Sequence, residues 1–236
     1  MSTDDSITHR AASIQARIHA ACIRAGRPAN SVTLLPVSKT FSADAILYAT
    51  TLGFTRFGEN KTQEIRQKKE ALADLPIQWV MIGHLQTNKA KDAARDASEV
   101  QSLDRLELAH ALQRRLDVEG RQIDVLVQIK TSSEPSKHGL LPCYASTFLR
   151  TIAHECPALR VKGLMTMAEQ SDDPDAVREC FRSLRELRDT LQAANIPGIQ
   201  LDKLSMGMSG DFEIAIEEGA TEVRVGSAFF GARDYT

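Results

Sequence analysis

Long apolar runs are missing from this chain. Its 236 residues contain no stretch near the ~20 consecutive apolar positions that a bilayer-spanning helix requires, so no membrane role is expected. A secretory leader is missing as well: residues 1–10 are polar and acidic, where a leader needs a basic start and an apolar centre. Cysteine is sparse. Cys22, Cys143, Cys156 and Cys180 lie far apart, and none belongs to a C-x-x-C pair. That spacing indicates neither a zinc site nor a disulfide framework, and it suits a reducing cytoplasm. No metal is expected. An excess of one charge is lacking too. Lys and Arg number 29 against 31 Asp and Glu, the net charge is −2 and no basic block occurs, so nucleic acid is not an expected partner. No linker, low-complexity segment or internal repeat interrupts the chain.

What is present is a steady alternation. With 42% hydrophobic residues the core can be substantial, and the length suits one domain spanning 1–236. Residues 6–25 carry Ile7, Ala11, Ile14, Ile18, Ala21 and Cys22 on one helical stripe, stopped by Gly26 and Pro28. The run Leu34-Leu35-Pro36-Val37-Ser38-Lys39-Thr40 reads as a buried strand ending at Lys39. Further strands are expected within 54–60, 77–82, 99–103, 123–129, 159–165, 201–206 and 222–225. Helices are expected at 43–52, 61–72, 87–97, 105–118, 142–154, 174–194 and 212–218. Asp104 should cap the helix at 105, and i,i+4 charge pairing is expected around Arg182, Glu186 and Asp189. Eight strands alternating with helices are the rhythm of a single α/β domain, a (β/α)8 TIM barrel. A doubly wound open sheet is the alternative.

In such a barrel the site lies at the C-terminal ends of the strands. Those ends are Lys39, Glu59-Asn60, His84, Asp104, Lys130, Thr166, Ser209 and Gly226-Ser227. A lysine leaving a buried strand can be partly desolvated, which disfavours the ammonium and makes the amine a better nucleophile toward carbonyls. The competing reading is a surface lysine, since charged side chains are mostly exposed. Two glycine segments bear on that choice. Gly207-Met208-Ser209-Gly210 precedes a short helix, and Val225-Gly226-Ser227-Ala228 ends the last strand. Backbone N–H groups in such turns bind anions, and barrels often build a phosphate site from the loops after strands seven and eight. A lysine after strand one together with that cup implies a phosphorylated carbonyl ligand, either a sugar phosphate or pyridoxal phosphate. His84 reads as an acid or base beside the ligand or as a packing histidine. Cys143 and Tyr144 are expected in the core, and Met165, Met167, Met206 and Met208 at the barrel mouth. The Ser-rich loop 131–139 is expected to gate the site, with Lys137 near enough to take part in release.

The motifs Pro36-Val37-Ser38-Lys39-Thr40, Phe57-Gly58-Glu59-Asn60, Ile82-Gly83-His84-Leu85-Gln86-Thr87-Asn88-Lys89, Gly163-Leu164-Met165-Thr166-Met167, Leu204-Ser205-Met206-Gly207-Met208-Ser209-Gly210-Asp211 and Val223-Arg224-Val225-Gly226-Ser227 are together highly specific. Through them the chain resembles, over almost its whole length, the pyridoxal phosphate homeostasis protein family, whose fold is like the N-terminal barrel domain of alanine racemase. The resemblance implies pyridoxal 5′-phosphate (PLP) held as a Schiff base on Lys39. It implies phosphate binding by Ser209, Gly226 and Ser227 with the Met208 backbone close by, Asn60 beside the ring, and Arg224 facing the pyridine nitrogen. It also implies a non-enzymatic role in intracellular PLP homeostasis, with no catalytic residues. The protein would hold the aldehyde, limit its free level and deliver it to PLP-dependent apoenzymes. Val80 departs from the family, which often has histidine after the tryptophan (Trp79 here). That position lies inside a strand and need not touch the cofactor.

A PLP-dependent amino-acid racemase is the competing function. It needs a second base on the opposite face of the cofactor, which a second domain and a partner subunit supply in alanine racemase. The chain ends at Thr236, five residues after Gly231, and Tyr48, Tyr144 and Tyr235 fall at no predicted strand end, so racemase activity is not expected. A Schiff-base aldolase is a third reading, disfavoured by Arg224 and its companion motifs. A monomer is expected, because no long exposed apolar segment is evident.

Overall fold

Strands buried on both faces, separated by helices with one apolar stripe, leave few ways to bury the chain. The computed structural model describes residues 3–132, 134 and 137–232. In chain order they form α1 (Thr3–Arg24), β1 (Thr33–Pro36), α2 (Ala43–Thr51), β2 (Arg56–Glu59), α3 (Thr62–Ala71), β3 (Gln78–Met81), α4 (Ala90–Asp96), β4 (Glu99–Leu103), α5 (Leu106–Glu119) and β5 (Ile123–Gln128). Then follow α6 (Ala145–Glu155), β6 (Leu159–Met165), α7 (Pro174–Ala193), β7 (Lys203–Ser205), α8 (Phe212–Glu217), β8 (Glu222–Val225) and α9 (Ser227–Phe230). The eight strands pair in parallel in the order β1-β8-β7-β6-β5-β4-β3-β2. The two end strands meet through a parallel bridge from Val37 to Gly58, where Ser38 N–H donates to Gly58 O at 3.0 Å. The sheet thereby closes into the expected (β/α)8 barrel, with the doubly wound alternative set aside.

The helices wrap it with the faces their periodicity predicts. Ile7, Ile14 and Ile18 of α1 are buried, and α1 packs along α8 and α9. Arg10 fastens the end of α9: its Nε donates to Phe229 O at 2.9 Å and its Nη2 to Phe230 O at 2.8 Å. Among the described residues no helix is long and apolar enough to cross a membrane.

Several local expectations need correction. β1 stops at Pro36, and Lys39 stands beyond it in a turn. Asp104 is not a helix cap. Arg105 occupies that position, and Asp104 instead accepts from Arg105 Nη1 at 2.6 Å. On α7, Arg182 pairs with Glu179 at 3.2 Å and Arg188 with Asp189 at 2.6 Å, while Glu186 and Asp189, both acidic, do not pair with each other. The neighbouring α8 end redirects the helix's arginines, with Arg178 reaching Glu217 at 2.8 Å and Glu218 at 3.2 Å. Cys143 and Tyr144 lie at the surface in a 3-10 turn, and the apolar face begins only at Ala145 and Phe148. Residues after β8, expected as a glycine turn, wind into α9.

Candidate functional site

The chain leaving β1 carries Lys39 to the barrel mouth. Ser38 O accepts from Phe41 N–H at 3.0 Å, closing a turn with Lys39 and Thr40 at its centre. Lys39 is half-buried and lines a cavity of about 610 Å³. Loops after seven of the eight strands build its wall, and all seven candidate residues, Lys39, Asn60, Met208, Ser209, Arg224, Gly226 and Ser227, line it. Gly83 lets the Asn60 backbone pass close by, since any Cβ there would collide with it.

The β7 and β8 loops form the neighbouring wall. Gly207 has φ +92°, and a Cβ on it would stand 2.6 Å from Ala215 Cβ and 2.9 Å from Phe212 Cα. Only glycine lets this loop fold onto α8. The Met208 N–H is taken up by Asp211 Oδ1. Burial pushes the Asp211 carboxyl up, against the pull of the Met208 N–H and Arg224. After β8, Phe229 and Phe230 N–H both return to Gly226 O at 2.9 Å. This starts α9 at Ser227, and the first N–H groups of a helix have no partner within it.

Arg224 is buried. Its Nη1 donates to Ser205 Oγ at 2.8 Å and its Nη2 to Thr166 O at 2.7 Å. Burial pulls the guanidinium down to about 10, with Glu222 and Asp211 opposing, so it stays protonated at neutral pH. Ser205 Oγ lies 2.8 Å from Gln101 Oε1 and 3.1 Å from Glu222 Oε1, which links Arg224 to the barrel interior. Neither Ser205 nor Thr166 carries a sequence signal that marks it as a support for Arg224. Period-2 counting along β8 would have put Glu222, Arg224 and Gly226 on one face.

His84 and His138, which also line the cavity, stack with centroids 4.0 Å apart at 20°. Burial, with His138 and Arg105, pulls the His84 imidazolium down, and Asp104 opposes. The two rings and Asp104 offer ligand atoms within 4.8 Å of one another. Stacked rings, however, aim their in-plane lone pairs side by side, where a tetrahedral metal site needs them to converge. His138, Gln128 and Gln170 line the cavity without any signal in their sequence neighbourhood.

In the loop 131–139, Ser133, Pro135 and Ser136 lie outside the described residues. Lys137 lines an adjoining hollow of about 800 Å³ that shares Lys39, Gln170, Met208 and Gly210 with the cavity. Met165 and Met206 are fully buried, while Met167 and Met208 line the cavity. Tyr48 bonds Thr8 at 2.8 Å, and neither it nor Tyr144 lines the cavity. Tyr235 lies outside the described residues. Val80 is buried away from the cavity wall.

Known proteins resemble this chain in sequence and in fold. Residues 9–234 match the family described as alanine racemase, N-terminal domain. The chain is 44% identical to the pyridoxal phosphate homeostasis protein of Aquifex aeolicus, over 93% of this chain and 95% of that protein. It is 41% identical to the Pseudomonas aeruginosa protein of the same name, over 98% and 97%. PipY of Synechococcus elongatus PCC7942, solved with PLP bound, superposes with a TM-score of 0.83 at 34% identity, covering 95% of this chain and 100% of PipY. An alanine racemase of Clostridium difficile 630, 12% identical, has the same barrel with a TM-score of 0.78, over 97% of this chain but 57% of its own. With this barrel, and with that identity over nearly its full length, the chain belongs to the pyridoxal phosphate homeostasis protein family.

Proposed function

We propose that this protein binds pyridoxal 5′-phosphate and serves intracellular PLP homeostasis as a holder of the cofactor, without substantial turnover. The observation that carries the reading is the charge of the cavity. Lys39 and Arg224 line it, and none of the described lining residues is acidic. Ser209 and Ser227 stand on the adjacent β7 and β8 loops and bring two hydroxyl-bearing residues to the same wall. Such a wall fits a phosphorylated carbonyl compound. PLP in the PipY structure and the name of the curated relatives choose PLP over a sugar phosphate.

When bound, the cofactor supplies an aldehyde that condenses with a primary amine, releasing water. Lys39 offers that amine. Ser209, Gly226 and Ser227 hold the phosphate, beside Met208, and Asn60 flanks the ring. Arg224 is protonated and can only donate hydrogen bonds, so a ring nitrogen facing it remains an acceptor. An unprotonated ring withdraws electrons weakly from a substrate α-carbon, which favours storage over chemistry. Cytoplasmic residence as a monomer and delivery to apoenzymes complete this reading. One observation favours a racemase instead: His84, a histidine held toward its neutral form, stands on the cavity wall as a potential base.

Borohydride reduction of PLP-loaded protein followed by peptide mapping should place the pyridoxyl group on Lys39. Finding it mainly on Lys89, Lys130 or Lys137 overturns the assignment. Incubation with L-amino acids should give no appreciable D-isomer. Robust turnover abolished by Lys39→Ala would establish an enzyme.

A further inference from the structure

Lys39 stands in a turn that its own residues do not favour. Thr40 has φ +69°, in the left-handed region that β-branched residues rarely adopt. Distant residues hold it there. Glu64 and Lys68 lie one helical turn apart on the same face of α3. Glu64 Oε2 accepts Thr40 N–H at 2.8 Å. Lys68 Nζ donates to Ser38 O at 2.7 Å, to Glu59 Oε1 at 2.6 Å and to Glu64 Oε2 at 3.3 Å. Glu59 Oε1 also accepts from Ser38 Oγ at 2.6 Å. Both chain neighbours of Lys39 are thus tied to one ion cluster.

The cluster is poorly explained as a stabilising device. The Lys68 side chain is 10% exposed and that of Glu59 0%, and buried ion pairs seldom outperform apolar packing of the same volume. Buried Glu59 Oε2 has no hydrogen-bond partner among the described residues, which a network selected for stability would avoid. Burial pushes the Glu59 carboxyl up, against Lys68 and Ser38. None of the three residues lines the cavity, so an effect on a ligand passes through their neighbours: the Lys39 turn, which all three brace, or Asn60, which follows Glu59.

We propose that Lys68, with Glu59 and Glu64, is a positioning residue that fixes the Lys39 turn so that Nζ meets the PLP carbonyl carbon in bonding geometry. The inference rests on the reading of Lys39 given above. The bond-forming step joins Nζ to that carbon as C=N. The carbonyl oxygen leaves as water with the two protons of the neutral amine, and no oxidant or reductant is required.

Two ligands separate positioning from mere stability. PLP can bond to Lys39; 4′-deoxypyridoxine 5′-phosphate keeps the ring and phosphate but has no aldehyde. Titrated against wild type and Lys68→Met, PLP should bind about tenfold more weakly to the variant, the loss expected for one charge-assisted hydrogen bond, while the analogue changes by less than about twofold. Equal weakening of both ligands, or no change in PLP affinity, overturns the proposal. If Lys68→Met does not fold, Glu64→Ala frees the Thr40 N–H at a partly exposed position. It should weaken PLP about threefold with the analogue unchanged, and an unchanged ratio of the two affinities again overturns the proposal. Wild-type protein that binds the two ligands equally and carries no pyridoxyl on Lys39 after reduction removes the Lys39 reading itself, and the inference with it.

Discussion

The two ends of the barrel use the same kinds of side chain for opposite purposes. At the bottom, where strands begin, Arg56 reaches Glu99 at 2.8 Å and Glu222 at 2.7 Å, and Lys203 reaches Glu99 at 3.1 Å. Gln101 Nε2 bridges both carboxylates. Two cations thus face two anions, with Ser205 joining the set to Arg224 above it. At the mouth, Lys39 and Arg224 line a cavity whose described lining includes no acid. Burying charge is tolerated only with compensation. At the bottom it comes from carboxylates inside the network; at the mouth Glu222 and Asp211 oppose the burial of Arg224 from behind the cavity lining, which leaves the wall itself cationic. Where the acids stand therefore distinguishes the two ends of one barrel.

Breaking the bottom should have the largest effect. Arg56→Met leaves Glu99 with Lys203 and Gln101, and Glu222 with no ion pair among the described residues but Gln101 and Ser205 as hydrogen-bond partners, and stability in urea should fall by about 3 kcal/mol. Folded variant should still take one PLP on Lys39 after borohydride; losing the cofactor more readily than stability would erase the distinction between the two ends. At the mouth the order reverses. Ser209→Ala should weaken PLP about tenfold yet move stability by no more than about 0.5 kcal/mol. Pyridoxal without phosphate should bind far more weakly than PLP, and equal affinities would contradict the phosphate cup.

pH sharpens the comparison. Burial pushes Glu222 up, but Arg56, Gln101 and Lys203 together hold it below its ordinary 4.5. Its stabilising contribution is complete above that value and is lost as pH falls through the lower folded value. Glu59, raised by burial, behaves oppositely: its contribution is complete below the ordinary value and is lost as pH rises through the folded one. Thermal midpoints measured across acid pH should therefore decline below about pH 4.5 in wild type, and less steeply in Glu222→Gln. A parallel decline in both would show that Glu222 does not carry the acid sensitivity. The smallest effect is expected in the loop 131–139, whose amide exchange should slow when PLP binds in the cavity beside the hollow lined by Lys137. Unchanged protection would remove the gate.

The sequence by itself determined the barrel and the level at which a site could form. The alternation of buried runs with helical stripes is a local property, and β4, β6 and β8 fall where their apolar patterns and flanking turns put them. Lys39 and the two glycine loops were legible because strand ends are local features and barrels place their sites there. The tertiary structure alone decided what those ends face. α3 reads in sequence as a charged helix with a solvated face, yet the closure of β1 on β2 turns Lys68 inward onto Ser38 and Glu59. Arg56 and Glu222 lie 166 residues apart, and Arg224 meets Thr166 O across 58. No local pattern encodes such partners. They are chosen when the sheet closes and each charge left inside must find the nearest group able to compensate it.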